Sequence, residues 1–143
     1  MADALRRTYF VLLIPAILGF MGISGAKALN LIHIYQVTFM ELLAPLLLVL
    51  SVIFALGLPV FFRSFFAHKV REQKRVSEAD LLRFECTFLY IALVTPYLSL
   101  IGYLLKFPRF HLAGSVLMAL YAVYYYFPSQ RRIRFEKRIF RVQ

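Results

Sequence analysis

The sequence predicts an all-α integral membrane protein whose four transmembrane helices pack as a bundle, with both termini cytoplasmic. Three observations lead there. Four apolar stretches are long enough to cross a bilayer, few charges fall inside them, and the connections alternate between strongly basic and nearly uncharged. The stretches run from about 8 to 26, 37 to 62, 84 to 105 and 110 to 127. Each is sufficient for a helix through a hydrocarbon layer about 30 Å thick. Of the 143 residues, 62% are hydrophobic and 17% charged, and mean hydropathy is +0.73. A soluble domain of this size cannot cover so much apolar surface, whereas lipid can. A closed barrel would need short strands of alternating polarity, but Leu46-Leu47-Leu48-Val49-Leu50 is apolar at every position.

Net charge is +10, and its placement explains it better than a nucleic-acid partner does. Fourteen of the 17 basic residues lie in Arg6-Arg7, in the loop 63–83 and in the tail 128–143, whereas Lys27, Lys106 and Arg109 occupy the other two connections. Basic residues are retained on the cytoplasmic side and alternate connections share a side, so both ends are expected inside. No soluble platform of interleaved aromatic and basic residues supports nucleic-acid binding. The single Cys86 excludes an intrachain disulfide and a cysteine-built metal cluster. Arg6-Arg7 followed by an apolar run and Gly22-Ile23-Ser24-Gly25-Ala26 loosely resembles a secretory leader. It is read here as a retained first span, which keeps the crossings even and the charge pattern intact. No linker divides the chain, so residues 1–143 form one expected domain.

Taken in order, the helices carry their own boundary signals. The first is expected to pack through Pro15, Gly19, Gly22 and Ala26, which recur at three- and four-residue spacing. Thr38-Phe39-Met40-Glu41 has the spacing of a capping box for the second helix, whose small stripe is Ala44, Leu48, Ser51 and Ala55. Ser77-Glu78-Ala79-Asp80 gives a similar start to the third helix, about one to two turns before lipid. Its stripe is Phe88, Ala92, Thr95, Ser99 and Gly102. Phe107-Pro108-Arg109 makes a tight turn, and the last helix carries Ser115, Ala119 and Ala122 on one side. Tyr124, Tyr125 and Tyr126 before Pro128 fit an interfacial belt, with hydroxyls toward water. Lipid is as apolar as leucine, so membrane helices associate where small side chains let backbones approach. The stripe of the first helix is the expected candidate to face another subunit.

Ionisable groups inside a membrane mark candidate sites because burying them is costly. Glu41 and Glu85 are the two candidate coupling carboxylates. Glu41 is explained by capping or, alternatively, by proton or cation binding beside the carbonyl that Pro45 leaves without a donor. Glu85 is expected to meet a base on a neighbouring helix, with Arg63 the first choice. His33 and His111, at the outer end, are candidate haem or metal ligands, although neither lies deep in a span. No phosphate loop, zinc-protease helix or nucleophile elbow is present, and no cofactor is expected. The basic residues Lys69, Arg71, Lys74 and Arg75 form one candidate contact for anionic lipid or a partner. Arg131, Arg132, Arg134, Lys137, Arg138 and Arg141 form another, in a tail where Phe135, Ile139 and Val142 would share a helix face.

The expected function is a non-catalytic subunit or scaffold of a larger assembly in the cytoplasmic (inner) membrane. Its partners are anionic lipid headgroups and other membrane subunits or further copies of the chain. The alternatives are a small oligomeric transporter or lipid-handling protein using Glu41, and a membrane haem or quinone protein or enzyme.

Overall fold

The computed structural model describes residues 2–31, 39–72 and 76–139, and these are helices and their connections with no strand among them. Three helical rods are long and apolar enough to cross a membrane: Ala2–Ala28, Glu41–Arg71 and Glu78–Leu104. A fourth is obtained when Arg109–Tyr125 and Gln130–Ile139, bent by 75° from one another, are taken together.

The rods are longer than the apolar stretches because polar helix formers extend them. The first, α1 (Ala2–Ala28), begins within the charged segment before residue 8. The second joins α2 (Met40–Val52), a π-helical turn (Ile53–Gly57) and α3 (Leu58–Glu72). The third is α4 (Glu78–Ala92) and α5 (Val94–Leu104), and α6 (Arg109–Tyr125) and α7 (Gln130–Ile139) complete the chain. Much of the expected loop 63–83 and of the tail 128–143 is therefore helix. The starts of α1, α4 and α7 and the end of α3 lie together at what is called here the basic end.

Caps and breaks have local causes. At α4, the Ser77 hydroxyl accepts the Asp80 N–H at 3.2 Å and donates to the Asp80 carboxylate at 3.1 Å, as the spacing predicts. At α2 the N-cap is Phe39, without a side-chain hydrogen bond; Thr38 lies outside the described residues. The α5–α6 turn places Lys106 at φ 55°, and Phe107 N–H reaches back to Gly102 O at 3.1 Å, the bond of a Schellman ending. The break at Leu93 precedes Pro96, which offers no donor to the Ala92 carbonyl and disfavours helix at Thr95.

The π-helical turn has a proline of its own. In a regular helix the Ala55 carbonyl would accept from residue 59, but Pro59 carries no N–H. The ladder slips by one residue, so that Leu58 N–H bonds to Ile53 O. The stranded Ala55 carbonyl takes the Tyr126 hydroxyl at 2.8 Å. Tyr126 is 2% exposed and stands at the end of α6, so it belongs to the core and not to the interfacial belt expected of it. Its neighbours Tyr124 and Tyr125 are exposed.

Two more tyrosines tie helices together in the same way. Tyr9 donates to Val123 O at 2.7 Å near the end of α6, where carbonyls lack helical donors. Tyr97 donates to Leu12 O at 2.6 Å, beside the Val11 carbonyl that Pro15 cannot serve. The core around these bonds collects Leu5, Tyr9, Phe88, Leu89, Leu93 and Tyr126, with Ile133 of α7 closing it at the basic end.

The small-residue stripes of three helices are inside. Ser51, Ala55, Ala92, Thr95, Ser99, Gly102, Ser115, Ala119 and Ala122 are all buried. The serine hydroxyls stay with their own helices: Ser51 donates to Leu47 O, Ser99 to Pro96 O and Ser115 to Leu112 O, whereas the buried Thr95 hydroxyl has no partner among the described residues. Close approach is tightest at Gly114, where a Cβ would come within 2.7 Å of Leu48 Cδ1, and at Gly19, at the same distance from Leu100 Cδ2. The expected stripe of α1 is split. Gly19 and Ala26 are partly covered, whereas Pro15 and Gly22 are exposed.

The Tyr126 bond gives a direct test. Tyr126→Phe keeps the ring and strands the Ala55 carbonyl, so unfolding in detergent should show a loss on the order of 1 kcal/mol. An unchanged midpoint would mean that the carbonyl finds another donor.

Candidate functional site

The densest polar constellation lies at the basic end, where α7 folds back across α3 and α4. Pro128 ends α6, and the Ser129 hydroxyl accepts Arg132 N–H at 3.2 Å to start α7. Helical spacing then turns Arg132, Ile133, Glu136 and Lys137 toward the bundle. Arg132 Nη2 meets Glu85 Oε2 at 3.2 Å, Arg63 Nη2 meets Glu136 Oε1 at 3.0 Å, and Lys137 Nζ meets Glu78 Oε1 at 2.6 Å. The expected Arg63–Glu85 pairing is thus replaced by two pairs that both draw on α7.

The two acids differ from ordinary surface carboxylates. Side-chain exposure is 8% for Glu85 and 5% for Glu136. Each therefore depends on its guanidinium, since a buried carboxylate without one bears a large desolvation penalty. Arg132 is further placed 5.6 Å above both the Phe88 and Tyr126 ring centroids, where cation–π attraction adds to the pair. One residue of α7 is thereby connected to α4, and through Tyr126 to the π-helical turn of the second rod. Sequence reasoning missed Glu136. Its signal was present, as the one acid within a tail of six basic residues.

These contacts divide the expected lipid or partner residues. Arg132 is engaged inward and Lys137 is paired at the surface with Glu78, whereas Lys69, Arg71, Arg131, Arg134 and Arg138 are exposed and in no ion pair among the described residues. Lys74, Arg75 and Arg141 lie outside the described residues. The other coupling candidate, Glu41, is exposed in the first turn of α2 and carries no ion pair among the described residues. The structure therefore does not bring Glu41 and Glu85 together; they belong to opposite ends of the bundle.

At the end opposite the basic one, Lys27 donates to Tyr103 O and lies 3.7 Å from that ring's centroid, holding the end of α1 against the end of α5. His111 is half-buried, and its Nδ1 has no hydrogen-bond partner among the described residues. His33 lies outside them, and the described residues contain no group of three potential metal-ligating side chains.

Between α1 and α6, over α5, runs an apolar cleft of about 300 Å³ lined by Leu13, Ile17, Phe20, Pro96, Val116 and Leu120, among others. Ser99, the polar residue of its lining, spends its hydroxyl on its own helix. The cleft can accept a hydrocarbon chain or a packed side chain, and it offers no donor to a hydrophilic solute. No protein-family model, curated protein or solved structure matches this chain.

Removing Arg132 should cost more than neutralising its partner. Arg132→Ala leaves Glu85 enclosed without its base and should destabilise by about 2–3 kcal/mol, whereas Glu85→Gln keeps a hydrogen-bond acceptor and should cost less. Thermal unfolding in detergent, with proteolysis of α7 as a second readout, checks the order. Equal losses would count against the buried-charge account.

Proposed function

We propose that this chain is a non-catalytic subunit or scaffold of a larger assembly in the cytoplasmic membrane, crossing it four times with both termini on the cytoplasmic side. The observation that carries this reading is the outer face of α1. Pro15, Leu18, Gly22 and Gly25 recur at helical spacing and are all exposed, and a Cβ on Gly22 or Gly25 would meet nothing within 4 Å. Gly19, Gly102 and Gly114, by contrast, sit in close helix contacts, and Gly57 is exposed like Gly22 and Gly25. Lipid gains nothing from glycine, whereas a neighbouring helix does.

The remaining polar chemistry supports the same reading. The buried acids are matched by arginines, and the serine and tyrosine hydroxyls of the core serve main-chain carbonyls. A conducting path needs a continuous polar lining, and these groups are already committed to holding the bundle together. The basic end agrees with cytoplasmic placement through the positive-inside rule.

Gly22→Leu, compared with Gly114→Leu, separates assembly from folding. The first should abolish co-purification of partner subunits from native membranes with the thermal midpoint of the isolated protein unchanged. The second drives a side chain into Leu48 and should lower stability by about 1–3 kcal/mol. A protein that is monomeric by native mass spectrometry in gentle detergent, with no partner lost on Gly22→Leu, would overturn the subunit reading.

A second reading, a lipid-handling protein or small transporter, is favoured by the apolar cleft beside α1 and by Glu41, which has no ion pair among the described residues. It requires Glu41→Gln to abolish transport in proteoliposomes with helix content and oligomeric state unchanged. Transport that survives the substitution removes Glu41 from any coupling role.

A further inference from the structure

The two sides of α7 carry different charge chemistry. Its inner side is electrically matched, because Arg132 and Glu136 pair with Glu85 and Arg63, while Lys137 pairs with the exposed Glu78 at its edge. On the outer side Arg131, Arg134 and Arg138 recur at three- and four-residue intervals. All three are exposed and none is in an ion pair among the described residues. They frame, with the Phe135 ring, an open recess of about 350 Å³. Beside this stripe, Phe135 and Ile139 are four residues apart and 58% and 46% exposed. The only acid of α7 is Glu136, turned inward, so nothing on the outer side of the helix offsets the three arginines.

The direction of the helix supplies the second constraint. α7 leaves α6 at 75°, so where α6 crosses a membrane α7 runs nearly parallel to its surface. The inner ion pairs hold it there as a fixed strap. Guanidiniums recognise phosphate oxygens through forked hydrogen bonds. An adjacent row of exposed apolar side chains suits the boundary between headgroups and acyl chains.

We infer that the outer face of α7 is a docking surface for anionic phospholipid, with Arg131, Arg134 and Arg138 on the headgroup phosphates and Phe135 and Ile139 in the acyl boundary. This rests on the membrane-crossing part of the proposed function and not on the assembly partner. It also sharpens the residue set, since Arg132 is committed to the buried Glu85 and Lys137 to an exposed pair with Glu78.

The chain contains no tryptophan, so Phe135→Trp gives a single fluorescent reporter. The full-length variant is placed in nanodiscs of brominated phosphatidylcholine, with or without phosphatidylglycerol. In anionic discs the emission should shift to the blue and be quenched by bromine. Raising salt from about 0.1 M to about 1 M shortens the screening length from about 10 Å to about 3 Å and should reverse most of that quenching. Adding R131Q, R134Q and R138Q should abolish the dependence on phosphatidylglycerol, with the unfolding midpoint unchanged because the inner pairs remain. Water-like emission in both disc types, as expected if an acidic protein segment is the real occupant, would overturn the inference. So would quenching that ignores lipid charge or survives the triple substitution. Failure of the protein to enter discs at all would remove the membrane reading and this inference with it.

Discussion

A carbonyl left without a donor inside an apolar bundle is among the costliest defects a helix can carry, and proline creates that defect wherever it enters a helix. Pro59 does so at Ala55, and the fold is organised around the repair. The π-helical turn widens the second rod, the Tyr126 hydroxyl enters from the end of α6, and the Ala55 carbonyl receives it at 2.8 Å. Tyr126 then presents its ring to Phe88, with centroids 5.0 Å apart, and to Arg132. The same bond that satisfies α2–α3 thus fixes where α6 ends and where α7 can lie.

From that point the charge distribution follows. Arg132 sits over Phe88 and Tyr126 and reaches Glu85, so the helix that carries it is drawn across the bundle end. Glu136, one turn further on, is turned inward toward Arg63. Two acids that would be unfavourable in an apolar core become connectors between three helices. They contribute little net stability compared with apolar replacements of the same shape; their effect is to determine register and orientation. The inward pairs take up Glu85 and Glu136 and leave Arg131, Arg134 and Arg138 exposed. That separation leaves one side of the strap engaged with the bundle and the other exposed and basic, the side proposed above to meet anionic phospholipid.

The opposite margin of the molecule is built differently. α1 is held by Tyr9, by Leu5 and by the Lys27–Tyr103 contact, and over much of its length it is one-sided. Its covered side meets α4 and α5, and the apolar cleft opens beside it. Its uncovered side combines proline, leucine and two glycines. The rod of α4 and α5 is more fully covered, with 44% of its apolar window buried against 11% for α1. An interior rod and a peripheral rod of similar composition thus occupy very different places, which suits a chain whose α1 packs against something else.

The sequence by itself determined the all-helical character, the approximate position of the apolar rods and the clustering of basic charge at one end. These depend on composition and on hydropathy along the chain, which are local properties. Burial of the stripes through Ser51, Thr95, Ser99, Gly102, Ser115 and Ala119 was also legible, because small residues at helical spacing mark close helix packing. The Ser77–Asp80 cap was legible for the same local reason. Partner choice was not. Arg63 and Arg132 are equivalent in type, and only the 75° bend at the end of α6 put Arg132 beside Glu85 and sent Arg63 to Glu136. Tyr126 had the composition of an interfacial residue, yet the gap left by Pro59 on another helix drew it inside. Which tyrosine is core and which arginine is paired depends on contacts between distant segments, and those exist only when the helices are packed.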